Sequence, residues 1–210
     1  IGVDNDADQP GERERFVYIA EASDSGWRCN YQYMATASPW MREGLWKPHF
    51  AGQAGHLLPP LLSYSNGPAG FRYEPGTALG DGQRGMFLLN EFPSGRMLGF
   101  RAAQDGATFK MVDARLLNDG VMGIGMSWAP DGSLFIADWI GGYPLDGLGA
   151  VWRVDARDGA ANPTRQETQR LLTAGFAKTA EAELITLLGH KDQRVRQGAQ
   201  LELAKRDRKD

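Results

Sequence analysis

Asp4-Asn5-Asp6-Ala7-Asp8 sets three carboxylates at alternate positions, with Glu12 and Glu14 close behind. Calcium takes six to eight hard oxygens, and a D-x-D-x-D run in a turn can bring several of them to one point. Asp4, Asp6 and Asp8 are therefore candidate calcium ligands. The run is not an EF-hand, because Gln9 stands where that loop needs glycine and Arg15 where it needs the bidentate glutamate. An acidic, solvated turn neutralised by Arg13 and Arg15 fits the same residues. In Asp24-Ser25-Gly26-Trp27-Arg28, a Gly-Trp step after an acidic turn puts a flat ring at a strand end. Sugars and quinones stack on such a ring, and it equally seals the junction between neighbouring β units. Arg72 is the one charged side chain in the apolar stretch Gly70-Phe71-Arg72-Tyr73, suited to an anionic ligand or to a salt bridge. Trp27, Arg28 and Arg72 are the candidate cofactor-binding residues.

Other chemistries find no support in the spacing. His49 and His56 have no Ser, Cys or carboxylate in motif register, and no nucleophile triad or phosphate loop is present. Gly123-Ile124-Gly125 is not followed by a helix pattern, which excludes a dinucleotide turn. Cys29 is the single cysteine, so neither an internal disulfide nor a CxxC site can form; a small buried hydrophobe is its expected role. Glu91 and Asp138 end the middle strands of two similar segments, and repetition at equivalent positions reads as a structural cap.

Those two segments are the elements that must position any site. The clearer one runs Gly125-Met126-Ser127-Trp128, then the turn Ala129-Pro130-Asp131-Gly132, then Ser133-Leu134-Phe135-Ile136-Ala137-Asp138-Trp139, then Gly149-Ala150-Val151-Trp152-Arg153-Val154. The other runs Gly70-Phe71-Arg72-Tyr73, then Gly85 to Phe92, then Gly95 to Arg101. Short apolar strands separated by turn residues, repeated about every 50 residues, predict adjacent blades of a β-propeller over 69–113 and 121–155. Two blades cannot close a propeller, so an unpaired sheet edge is expected. Between the start and the first blade, Asn30 to Pro68 interleaves five prolines with Tyr31, Tyr33, Trp40, Trp46 and Phe50. A loop of that length either binds something or packs its aromatics onto the sheets.

Composition changes near Ala161-Asn162-Pro163-Thr164, from glycine and aromatics to Ala, Leu, Glu, Gln, Lys and Arg. Thr164 and Glu167 fit a capping box, a second helix is expected over about Thr179 to Leu188, and a third carries Val195, Ala199, Leu201 and Leu203. The charge of −3 hides an asymmetry, −6 over residues 1–163 and +3 over 164–210. Neither part is basic enough for nucleic acid. No apolar run approaches the length of a membrane helix. The expected fold is mainly β with an α-helical tail: residues 1–160, with loop 29–68 capping or binding, and a helical unit over 161–210.

Leu184-Ile185-Thr186-Leu187-Leu188, Gly189-His190-Lys191-Asp192 and Arg194-Val195-Arg196 together resemble a HEAT repeat, the start of an α-solenoid. His190 is expected to face solvent in the turn. Asp4-Asn5-Asp6, Glu12 to Arg15, Asp24 to Arg28, Gly67-Pro68-Ala69-Gly70 and Met126 through Trp139 to Val154 resemble the glucose/sorbosone dehydrogenase-type propeller. More closely, they are similar to the large "membrane-bound dehydrogenase" proteins of planctomycetes and verrucomicrobia, which join such a propeller to HEAT-like repeats. The resemblance implies a six-bladed fold, sugar oxidation with calcium-bound pyrroloquinoline quinone, and a periplasmic or cell-surface location. It also implies a catalytic histidine in an earlier blade, so that this chain would be a C-terminal piece of the enzyme. The family's quinone-binding arginines precede Pro-Asp-Gly, whereas Val121 to Met126 holds none. A non-catalytic module binding carbohydrate or protein is the alternative.

Overall fold

The computed structural model describes residues 1–3, 14–23, 49–53, 61–64 and 67–207. Asp4, Asp6, Asp8, Trp27 and Arg28 lie outside the described residues, as do Cys29, His56 and most of the aromatic loop. Among the described residues, ten strands form three sheets, followed by three α-helices.

The first sheet has the order β1-β2-β3, from Gly2–Val3, Glu14–Val17 and Leu62–Tyr64. Both pairings are antiparallel, with Val3 opposite Phe16 and Phe16 opposite Leu62. Glu14 is thus a buried strand residue and not part of a solvated acidic turn. The second sheet has the order β4-β5-β6-β7, from Pro68–Tyr73, Phe87–Glu91, Arg96–Asp105 and Thr108–Asp119. The third has the order β8-β9-β10, from Gly123–Trp128, Leu134–Asp138 and Ala150–Val154. The sheets are open, and their strands match the expected segments except that β7 extends the first of these to Asp119.

The chain divides into two compact units, one of residues 1–71 and 89–124, the other of 72–88 and 125–210. The helices, β9 and β10 all fall in the second of these units. In the first unit Phe16, wholly buried, meets Phe71 and Phe100 edge-on, with ring centroids 6.0 and 4.8 Å away. These aromatic contacts join β2 to the apolar face of β6.

In the second unit, β8 and β9 meet through the Pro-Asp-Gly turn. Asp131 Oδ1 accepts from Ser133 N at 2.9 Å and from Ser133 Oγ at 2.6 Å, an Asx turn. Gly132 has φ 84, and its N–H donates to Ala129 O. Helix α1 spans Pro163–Ala174, α2 Glu181–Leu187 and α3 Gln193–Asp207. Leu171, Leu184, Leu187, Val195 and Ala199 form their shared core, with Leu172, Phe176 and Leu203 packed on it. The cap of α1 is Asn162 and not the Thr164–Glu167 box. The Asn162 side chain accepts from Thr164 N and Arg165 N, and Pro163 occupies the first helical position, where no N–H is needed. No helix among the described residues is long and apolar enough to cross a membrane.

The loop after β4 is built by one buried carboxylate. Glu74, with no exposed surface, accepts from Ala78 N at 2.7 Å, Gly76 N at 2.9 Å, Gly85 N at 3.0 Å and Leu79 N at 3.4 Å. Within this loop Gly76 has φ 114, and a Cβ there would lie 2.4 Å from Lys191 O. Gly76→Ala should therefore cost about 2–3 kcal/mol, from the strained φ together with a clash against main chain that cannot rotate away. Thermal unfolding checks this, and a melting temperature equal to the parent's would contradict it.

Candidate functional site

Polar side chains of the second unit converge on the carbonyls that flank the Pro-Asp-Gly turn. Arg165, only 4% exposed at the first turn of α1, donates through Nε to Asp131 O at 2.8 Å and through Nη1 to Asp155 Oδ1 at 2.7 Å. Arg153, on β10, bridges Asp131 Oδ2 and Asp155 Oδ2 at 3.0 and 2.9 Å. Burial alone would raise the Asp131 carboxyl, but bonds from Ser133 and the charges of Arg153 and Arg165 outweigh it, holding the group below 3.8. Gly159, Ala160, Gln166 and Gln169 complete the walls of a cleft around these groups. Two carboxylates face two guanidiniums, so the cleft carries donors and acceptors with no excess charge.

A second cluster lies at the start of α3. Asp192 is fully buried and accepts from Thr77 Oγ1 at 2.6 Å, Arg194 Nη2 at 2.9 Å and Arg194 Nε at 3.0 Å. Its Oδ1 also caps α3 by accepting from Arg194 N at 2.9 Å, and Arg194 Nη1 donates to Ala129 O at 2.6 Å. His190, half-buried, accepts through Nδ1 from Asp192 N, which makes it a turn support. A groove beside it is lined by Thr77, Gly80, Asp81, Arg84, Asn162, Thr164 and Lys191.

Of the candidate residues, Arg72 alone is described. It is exposed on β4, next to Tyr73, whose carbonyl accepts from Trp128 Nε1 at 2.9 Å. Asp138 accepts from Trp152 Nε1 at 2.8 Å, a cross-strand tie within the third sheet. Asn90 and Glu91, both nearly fully buried at the end of β5, have the unbonded atoms Nδ2 and Oε2. Among the described residues no three His, Cys, Asp or Glu side chains cluster as a metal site. The strand before Pro-Asp-Gly is β8, which has no arginine. The candidate calcium ligands Asp4, Asp6 and Asp8 and two of the three candidate quinone residues, Trp27 and Arg28, lie outside the described residues, and no chemical step is assigned to calcium or quinone.

The Arg165 and Asp192 networks are absent from the sequence-based candidates. The only local signals were an arginine just inside a helix start and an aspartate just before one, both commonplace at helix ends.

The described residues define a mainly β protein of open antiparallel sheets with a three-helix C-terminal segment. Neither a protein-family model nor a curated protein matches the chain. Among solved structures it is similar to a proposed oxidoreductase (glucose dehydrogenase) from Thermus thermophilus, with 14% identity and a TM-score of 0.38. The similarity covers 49% of this chain and 30% of that one, so the chain spans under a third of that protein's length. A likeness this distant transfers no residue role.

Proposed function

We propose that this chain is part of a propeller oxidoreductase of the glucose/sorbosone dehydrogenase type, to which it contributes blades and a HEAT-like helical start. The observation that carries this reading is strand order. In β4-β5-β6-β7 and again in β8-β9-β10, strands follow one another in chain order, the meander from which propeller blades are built. The motif resemblance from Gly67 to Val154 supports the same assignment. On this reading the described residues are scaffold, and a bound quinone would supply the hydride chemistry from a site completed by other residues. A second reading, a non-catalytic carbohydrate-binding module, is favoured by the charge-balanced cleft of Arg153, Asp155, Arg165 and Gln169, since neutral hydroxyls suit such a lining.

Dye reduction by the full-length protein, supplied with pyrroloquinoline quinone, calcium and an aldose, separates the two. Turnover supports the enzyme, whereas sugar binding in calorimetry without turnover supports the module. The 210-residue chain alone is expected neither to bind the quinone tightly nor to reduce the dye with glucose. Turnover by this chain alone would contradict the scaffold assignment.

A further inference from the structure

Two of the outer strands, β7 of the second sheet and β10 of the third, differ in how they are guarded. β7 is guarded: Lys110, Asp113, Arg115 and Asp119 lie along it, its register with β6 slips twice, and Asp113 adopts φ 54 and pairs with Arg101. Charges and bulges of this kind keep an edge from recruiting another strand. β10 carries one charge, Arg153, and no bulge. Its five residues run in unbroken register with β9, from Ala150 opposite Asp138 to Val154 opposite Leu134. Among the described residues no further main-chain hydrogen bond involves them. Val151 and Trp152 are 69% and 49% exposed, and Phe135 on the neighbouring strand is 38% exposed.

We propose that β10 pairs antiparallel with β10 of a second copy of this chain, joining two third sheets into one across a two-fold axis at Trp152. Ala150-Val151-Trp152-Arg153-Val154 is self-complementary in that register. Trp152 meets its twin, and Val151 lies opposite the second copy's Arg153, so the single charge on the strand never faces a like charge. Arg153 keeps its ion pairs with Asp131 and Asp155 of its own chain while its half-exposed guanidinium still faces the second copy's residue 151. The apolar surface of Val151 and Trp152 is covered, and the exposed main-chain donors and acceptors are paired.

Sedimentation of the 210-residue chain over a roughly hundredfold range of concentration should show the mass doubling from 23.0 kDa. Two substitutions at the exposed Val151 test the register, with circular dichroism confirming that each variant folds. Val151→Lys sets an ammonium opposite the second copy's Arg153 and should weaken association by about tenfold or more. Val151→Glu sets a carboxylate there and should keep or tighten it, up to about fivefold. A chain that stays monomeric throughout, or two variants that change association equally, would overturn the proposal. Because activity is not read, the result is independent of whether the chain belongs to a dehydrogenase.

Discussion

Glu74→Ala should cost about 4 kcal/mol and remove hydrogen-exchange protection from Gly76, Ala78 and Gly85 together. The carboxylate is fully buried and holds four main-chain N–H groups of its loop, at 2.7 to 3.4 Å. Each buried donor left without an acceptor costs on the order of 1–3 kcal/mol, and the part-buried ones recover some of that from water. Glu74→Gln keeps one acceptor oxygen and turns an amide donor toward the remaining N–H groups, so about half the loss is expected. Urea denaturation measures the stability, and exchange at the three amides measures the loop. Should Glu74→Ala unfold with the parent's midpoint while those amides stay protected, the loop is held by something other than this carboxylate.

Asp192→Ala should cost about 3 kcal/mol, and the cost should depend on pH. The substitution takes the acceptor from Thr77 and Arg194 and the cap from α3, leaving a largely buried guanidinium short of its partner. Burial by itself raises the Asp192 carboxyl, but hydrogen bonds from Arg194 and Thr77 and the Arg194 charge outweigh it, so the folded value lies below 3.8. The unfolded chain then binds the proton more readily than the folded one. The stabilisation is complete above about pH 5 and drains away as pH falls past the unfolded value toward the lower folded one. The stability gap between the parent and Asp192→Asn should therefore narrow between about pH 4 and pH 2 and stay constant above about pH 5. A gap that is flat down to about pH 2 would contradict an ionised, hydrogen-bonded Asp192.

What the sequence made legible was whatever local pattern encodes. The turn at Pro130-Asp131-Gly132 and the strands around it follow from residues adjacent in the chain, and so do the apolar faces of the three helices. The pairing of Glu14–Val17 with Leu62–Tyr64 was not legible, because it joins residues nearly fifty apart and its middle strand opens on charged Glu14 and Arg15. Capping was misassigned by two residues because Thr164 and Glu167 have the spacing of a box, while Asn162 before Pro163 has the geometry. The roles of Glu74 and Asp192 were hidden for another reason. A carboxylate's spacing in the chain does not reveal whether main-chain N–H groups will turn toward it. Of the candidate site, sequence placed Arg72 on a strand, and the structure shows that strand to be β4.

The second unit is assembled from two separate stretches, residues 72–88 and 125–210. Thr77 bonds to Asp192 across 115 residues of chain. During synthesis at about 5–20 residues per second, the Glu74 loop leaves the ribosome roughly 6–23 s before the helix start it docks against. Until then its Thr77 hydroxyl and the crowded Gly76 face water or whatever else binds them. The order of emergence thus makes the C-terminal helices the last and obligatory step in completing a unit whose first stretch was made long before them.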